Sequence, residues 1–203
     1  MEGARRVTTK TGDNGMTGLI DGSRIKKDSE QIEMIGLLDE VTTALGLVRS
    51  YLTSMNLSHK DGGPRATVEK IQLLDREIAI LQSDLFDLGA EMAIPKGVII
   101  EGIELIGIER SESLLAHMDK MSNDLTPLSA FILPASPEVS ARLHFARVVT
   151  RRAERKAVKN NVRNEVIIYL NRLSDWCFIA ARWVLHILGE NEEVWVPLSE
   201  RKI

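Results

Sequence analysis

Residues 143–183 read LHFARVVTRRAERKAVKNNVRNEVIIYLNRLSDWCFIAARW, and their reading decides the fold. Helical steps of 100° put Leu143, Ala146, Val149, Ala153 and Ala157 on one arc, the pattern of a helix with one face in a core. Arg147, Arg151 and Arg155 fall on the adjacent arc, with His144 and Glu154 among them. Three arginines at i, i+4 and i+8 repel one another unless an anion lies between them. Glu154 offsets part of that charge. The remainder suits a polyphosphate, because a guanidinium presents a planar fork to phosphate oxygens. After a polar link at 159–164 a second helix follows. Its apolar face is Leu170, Leu173, Cys177, Ala180, Val184 and Ile187. Asn171, Asp175, Phe178 and Arg182 line another face. A carboxamide and a carboxylate one turn apart orient an arginine or hydrogen-bond a ligand.

The rest of the chain repeats the helical theme. Ser29 or Asp28 caps a helix over 29–54, striped by Leu38, Val41, Leu45, Val48 and Leu52. Gly36 and Gly46 suggest tight helix contacts there, and Asp39 and Glu40 sit beside the stripe. A loop at 55–66 carries no functional signal. Over 67–93, Ile71, Leu74, Ile78, Leu81, Leu85, Leu88 and Met92 alternate spacings of three and four, a heptad seam for lengthwise packing. A helix over 102–122 is expected to bury Leu105, Ile108, Leu115 and Met118. Pro127, Pro134 and Pro137 keep the segment before the arginine helix irregular. Ser136 is expected to cap that helix, 137–159, with Pro137 at its first position. A fifth helix spans 164–188. The expected fold is therefore all-α: one domain, 1–203, built as a five-helix up-and-down bundle over 29–188. A glycine-rich arm at 1–28 precedes it and a tail at 189–203 follows, with Trp195 and Val196 packing back.

Composition narrows the function. The 203 residues are 44% hydrophobic and 27% charged, with a net charge of −3, as in a soluble globular protein rather than a general nucleic-acid binder. Aromatics are only 4%, too few for a base-stacking surface, which argues against RNA binding by RRAERK. The single cysteine permits no intrachain disulfide and no cysteine-based zinc site, and suits a reducing compartment. No secretory signal or bilayer-spanning run is evident, so a cytoplasmic protein that does not engage membrane is expected.

The arm, at 9–29, reads TKTGDNGMTGLIDGSRIKKDS. Its glycines exclude a stable helix and let backbone N–H groups approach a phosphate. Thr9, Lys10, Thr11, Thr17 and Lys27 add hydroxyls and ammonium groups. No Walker spacing is present. Without an apolar stripe the arm is expected to be mobile until a ligand orders it.

These motifs resemble the PduO-type ATP:cob(I)alamin adenosyltransferases. The arm is similar to that family's ATP-embracing segment. LHFARVVTRRAER with YLNRLSDWCFIAAR resembles its C-terminal signature. IEMIGLLDEVTTALGLVRS (32–50) and FILP (131–134) resemble two further motifs, although Ala135, Ser136 and Pro137 stand where the family usually has small residues, often a glycine pair. The resemblance implies transfer of the 5′-deoxyadenosyl group of ATP to the cobalt of reduced cobalamin, with triphosphate leaving. It implies ATP contacts by Thr9, Lys10, Thr11, Gly12, Thr17, Lys27, Arg151, Arg152, Glu154, Arg155 and Asn171, assisted by Mg2+ without a protein metal site. It implies supporting salt bridges at Asp39, Arg147 and Asp175, with Asp39 reaching Arg147 across a subunit interface. Phe131 matches the residue that approaches the lower face of the corrin. A homotrimer with sites between subunits is implied, with a flavoprotein reductase and a cobalamin-dependent acceptor enzyme as further partners. A binding module that kept the same pocket but lacked turnover would share most of these residues. ATP-dependent change in the spectrum of reduced cobalamin separates the two.

Overall fold

The computed structural model describes residues 8, 10–55, 65–95, 97–135 and 137–201. Five helices carry the fold: α1 (Glu30–Ser54), α2 (Arg65–Met92), α3 (Ile108–Ser122), α4 (Glu138–Lys159) and α5 (Asn164–Leu188). Four short strands pair as two antiparallel ribbons, β1 (Met16–Gly18) with β2 (Arg24–Lys26), and β3 (Ile132–Leu133) with β4 (Glu193–Val194). α1 packs between α2 and α4, and α5 packs between α4 and α3. Among the described residues no helix is long and apolar enough to cross a membrane.

The core follows from the sequence stripes. Leu38, Val41, Leu45, Val48 and Leu52 of α1 are buried, as are Ile71, Leu74, Ile78, Leu81, Leu85 and Leu88 of α2. The apolar arc of α4 is buried from Leu143 to Ala157, and Leu170, Leu173, Cys177, Ala180 and Val184 of α5 face it across the seam. Burying this aliphatic surface is what drives the bundle together. Ser29 caps α1, its Oγ accepting from the Ile32 N–H at 3.3 Å. At the far end of α5, Gly189 takes φ +72°, and the Glu190 N–H returns to the Leu185 carbonyl at 3.0 Å. That left-handed cap suits glycine. Gln31 donates to the Met92 and Ile94 carbonyls and so closes the C-terminus of α2.

α3 meets α2 differently. Lys70, Glu77, Asp84 and Glu91 recur every seven residues along one edge of α2. Lys70 pairs with Asp124 at 2.8 Å, Glu77 lies 3.8 Å from His117, and Asp84 pairs with Arg110. Glu91 pairs with Arg163 at 2.8 Å, and Arg163 also donates to the Ile106 carbonyl. The Tyr169 hydroxyl donates to Asp84 at 2.9 Å. The partners run backwards in number, so α3 lies antiparallel to α2, held by a ladder of charges.

That ladder explains where the expected α3 fails. The helix begins at Ile108, not near 102: Gly102 adopts φ +82° and Gly107 stands at the N-cap. Leu105, Ile108 and Leu115 are 44%, 45% and 42% exposed, so they do not form the buried stripe. Ser111, Leu114, Met118 and Met121 do. Placing Arg110, His117 and Asp124 on the α2 edge turns these four toward α5.

Other boundaries shift by one or two residues. Pro137 stands at the N-cap of α4, ahead of its first turn rather than in it, and Ser136 lies outside the described residues. Most of the 55–66 loop lies outside them too. A methyl group on Gly46 would meet Gln82 Nε2 at 3.3 Å, but one on Gly36 would meet nothing, so of the two only Gly46 marks a close approach. The described part of the arm folds as the β1–β2 hairpin, tied to the bundle where the Ile20 N–H donates to the Ala93 carbonyl at 3.3 Å.

Candidate functional site

A cleft of about 520 Å³ opens between α4 and α5 beneath the 128–132 loop. Phe131, His144, Arg147, Arg151, Asp175 and Phe178 are among its lining residues. The 3.6-residue period of α4 brings Arg147 and Arg151 to one side, and α5 contributes Asp175 and Phe178 to the other. Such a volume is typical of small-molecule sites.

The electrostatics of this cleft are unbalanced. Arg147 packs over the Phe178 ring, its guanidinium carbon 6.0 Å from the ring centre, and its Nε is buried without a hydrogen-bond partner. Burial and then the neighbouring Arg151 lower its affinity for its proton. Among the described residues neither Arg147 nor Arg151 forms an ion pair. His144 is 3% exposed, meets Phe178 edge-on, and leaves Nδ1 unpartnered. Burial, aided by Arg147 and opposed by Glu192, lowers its pKa to about 4, so the imidazole is neutral at physiological pH. Cys177 is fully buried and its thiol is pushed up to about 12 by burial, which removes it as a nucleophile.

Phe131 stands at the mouth, 78% exposed, with the Trp195 ring edge-on at 6.2 Å. It is not a core residue. Its support comes from the tail, where β4 pairs with β3 and the Trp195 N–H donates to the Phe131 carbonyl at 2.8 Å. Trp195 and Val196, expected to pack back on the bundle, are exposed instead, and Trp195 returns to the Phe131 loop.

Most of the remaining predicted residues lie in two other places. A shallower concavity of about 370 Å³ between α1 and α4 holds Arg152 and Arg155 with Glu33, Glu40, Lys156 and Lys159. Arg152 is already paired with Glu40, while Lys156 and Lys159 pair with Glu30. The third place is the hairpin. Lys10 adopts φ +58°, Thr11 accepts from Arg24 through its carbonyl, and Thr17 sits in β1 opposite Ile25. Lys27 lies directly over Gly12: a Cβ there would meet its Nζ at 3.0 Å. Thr9 lies outside the described residues. None of these arm residues lines either concavity. Glu154 and Asn171 are half-buried and line neither, and Asp39 is exposed on α1. Asp39 and Arg147 do not pair within the chain, and Asp175 pairs with Arg172 at 3.3 Å instead. One chain therefore assembles part of the predicted set and leaves the rest on separate faces.

Two residues were misread. His144 counts with the polar arc by helical angle, yet it is buried. Arg182 counts with the face of Asn171, Asp175 and Phe178, yet it is buried and bound to Glu192 and the Thr126 carbonyl. Glu192 carries no sequence signal that ties it to the site. The hydroxyl of Ser174 bonds the Asn171 carbonyl, and its presence in the cleft lining was not foreseen.

Residues 7–184 match the family model for cobalamin adenosyltransferase. The corrinoid adenosyltransferase of Bacillus subtilis (strain 168) is 36% identical over 184 residues, covering 88% of this chain and 86% of that protein. The corrinoid adenosyltransferase of Homo sapiens is 32% identical over 198 residues, covering 94% and 73%. A variant of the PduO-type ATP:corrinoid adenosyltransferase from Lactobacillus reuteri, solved in complex with cobalamin and ATP, superposes with a TM-score of 0.80 at 27% identity, covering 94% of this chain and 99% of that one. By sequence along nearly its whole length and by the arrangement of its helices, the chain belongs to the cobalamin adenosyltransferase family.

Proposed function

We propose that the α4–α5 cleft is the corrin side of an ATP:cob(I)alamin adenosyltransferase site. The enzyme transfers the 5′-deoxyadenosyl group of ATP to the cobalt of reduced cobalamin. The cobalt lone pair attacks C5′, the C5′–O bond breaks, and triphosphate leaves with that electron pair. Cobalt is the nucleophile, so the protein needs no serine or cysteine, in keeping with a neutral His144 and a fully buried Cys177. Its task is to hold both substrates in line and to offset charge on the departing triphosphate.

The observation that carries this reading is the pair Arg147 and Arg151, one turn apart, without an ion-pair partner among the described residues, beneath an exposed aromatic ring. A half-buried guanidinium beside a second one is costly without an anion, and Arg147 is in that position. Arg151 takes the triphosphate, with Lys10, Lys27, Arg152 and Arg155. Gly12, Thr9, Thr11, Thr17, Glu154 and Asn171 complete the nucleotide site. Arg147 takes the carboxylate of Asp39 from a neighbouring copy, and Asp175 steadies the arginines. Phe131 covers the lower face of the corrin. Because one chain leaves these groups on separate faces, the reading includes a homotrimer with sites between copies. Arm, bundle and tail act as one unit.

Mg2+ enters with the triphosphate. Among the described residues no group of three or more histidine, cysteine or acidic side chains is arranged to hold a metal. Supply of the nucleophile calls for a one-electron reductase, a flavoprotein in this reading, and the product suits a cobalamin-dependent acceptor enzyme. A cytoplasmic setting fits both.

The deciding experiment mixes the protein with chemically reduced cobalamin and adds ATP. Loss of the cob(I)alamin absorbance with stoichiometric triphosphate is expected. Binding of ATP with no spectral change would leave a binding module instead.

A further inference from the structure

Arg182 is the only arginine on α5 that is fully inside the fold, with a side chain 7% exposed. A buried guanidinium needs partners on several sides. Here they come from two segments far apart in sequence. Nε meets the Glu192 carboxylate, at the start of the tail. Nη2 donates to the Thr126 carbonyl at 2.7 Å, in the loop that leads to Phe131. Just beyond these two anchors the same segments pair again. Ile132 and Leu133 face Val194 and Glu193, and the Trp195 N–H donates to the Phe131 carbonyl. The loop and the tail are thus joined at both ends of a short span, and Phe131 lies within it. The ring itself has little else to lean on, being 78% exposed with Trp195 edge-on.

We propose that Arg182 is a positioning residue, which by gripping Glu192 and the Thr126 carbonyl together clamps the tail against the loop and sets where Phe131 stands over the cleft. The inference rests on the corrin-facing role of Phe131 given above. Arg182 itself is not among the residues lining the cleft and touches no substrate in this reading. Its effect passes through backbone. Cobalt in cob(II)alamin holds a ligand on its lower face that hinders reduction to the nucleophilic state, and an apolar ring below the corrin would exclude it, so a clamp of this kind acts most on the reaction that begins from cob(II)alamin. It leaves ATP binding alone.

The test uses Glu192→Gln, which keeps the volume of the side chain and removes its charge, beside Glu192→Asp, which keeps the charge. With Glu192→Gln, amide hydrogen exchange at Trp195 should quicken. The rate from cob(II)alamin should fall roughly tenfold, as for residues in one contact network. The rate from pre-reduced cob(I)alamin should fall less, and ATP affinity should hold. Glu192→Asp should retain most of the wild-type behaviour. In a Phe131→Ala background, Glu192→Gln should add no further loss. If Glu192→Gln does not fold, Trp195→Pro removes the amide that binds the Phe131 carbonyl without touching the buried pair, and the same separation of rates is expected. Equal damage to both reactions, unchanged exchange at Trp195, or additive losses in the double variant would overturn the clamp. If Phe131→Ala affects both reactions equally, the corrin-facing reading fails and the clamp with it. If Phe131→Ala separates the rates and the tail variants do not, the clamp alone fails.

Discussion

Along the α2–α3 seam each charged side chain of the ladder meets a partner within the chain, from Lys70 and Asp124 to Glu91 and Arg163. Along the α4–α5 cleft, Arg147 leaves its Nε and His144 its Nδ1 without one. Both sites bury ionisable groups in a helical bundle, and desolvation acts on both. The ladder returns that cost as register, fixing which face α3 turns toward α5. The cleft returns none of it inside one chain. Charges that are satisfied locally hold a fold together, whereas charges left open at a cavity await something from outside.

The sharpest break between the two is in what a truncation damages. Arg151→Ala should lower the adenosylation rate about 10²-fold or more, the size seen when a donor to developing charge is lost. Thermal unfolding should barely change, since Arg151 is exposed. Unfolding of the variant would assign Arg151 to the scaffold and erase the contrast.

Next in size is the pH response of His144. Its pKa in the folded protein, about 4, lies below the ordinary 6.5. The unfolded chain therefore takes the proton first as pH falls. The neutral, buried imidazole is fully tolerated above about 6.5, and stability is lost progressively from there down to about 4, by at most about 3 kcal/mol. The difference in unfolding free energy between wild type and His144→Gln, measured across that range, should shrink as the pH is lowered and be flat above 7. A flat difference throughout would show that His144 gains a partner.

In the ladder the order of effects should reverse. Asp84→Ala strands the buried Tyr169 hydroxyl and frees Arg110, and should cost about 2 kcal/mol of stability. Activity per folded molecule should stay near wild type, because Asp84 does not line the cleft. A selective loss of activity without loss of stability would join the ladder to the site. A small stability change is expected from Phe131→Ala. A core phenylalanine would cost about 3–5 kcal/mol, but a ring this exposed should cost less than about 1 kcal/mol. Calorimetry on the variant distinguishes a ring placed for a ligand from one placed for packing.

What the sequence made legible was periodic. Four helices and their buried faces were readable because Leu, Ile and Val recur at helical spacing, and a stripe of that kind has one way to be buried. α3 was not, because its face is decided by Arg110, His117 and Asp124 pairing with residues far away, and no local period records a partner. The hairpin in the arm escaped for a related reason: Gly15 and Gly22 mark turns, but three-residue strands carry too little alternation to be seen. At the site, the arginine helix stood out by spacing. His144 and Arg182 did not, since helical angle gives the side of a helix and not the depth of what packs upon it. Arg182 shares a face with Asn171, Asp175 and Phe178, and the returning tail and the Thr126 loop together enclose it.

That returning tail also sets an order of assembly. Strand β4 joins β3 across the whole of α4 and α5, so the pairing of Ile132 with Val194 cannot form until both helices have folded back on one another. During synthesis the tail leaves the ribosome after the helices it must cross. The bundle can therefore reach its compact form while the mouth of the cleft is still open. A segment made after the helices is the one that finishes it, and a chain stalled before Glu192 would be folded but unable to set Phe131 in place.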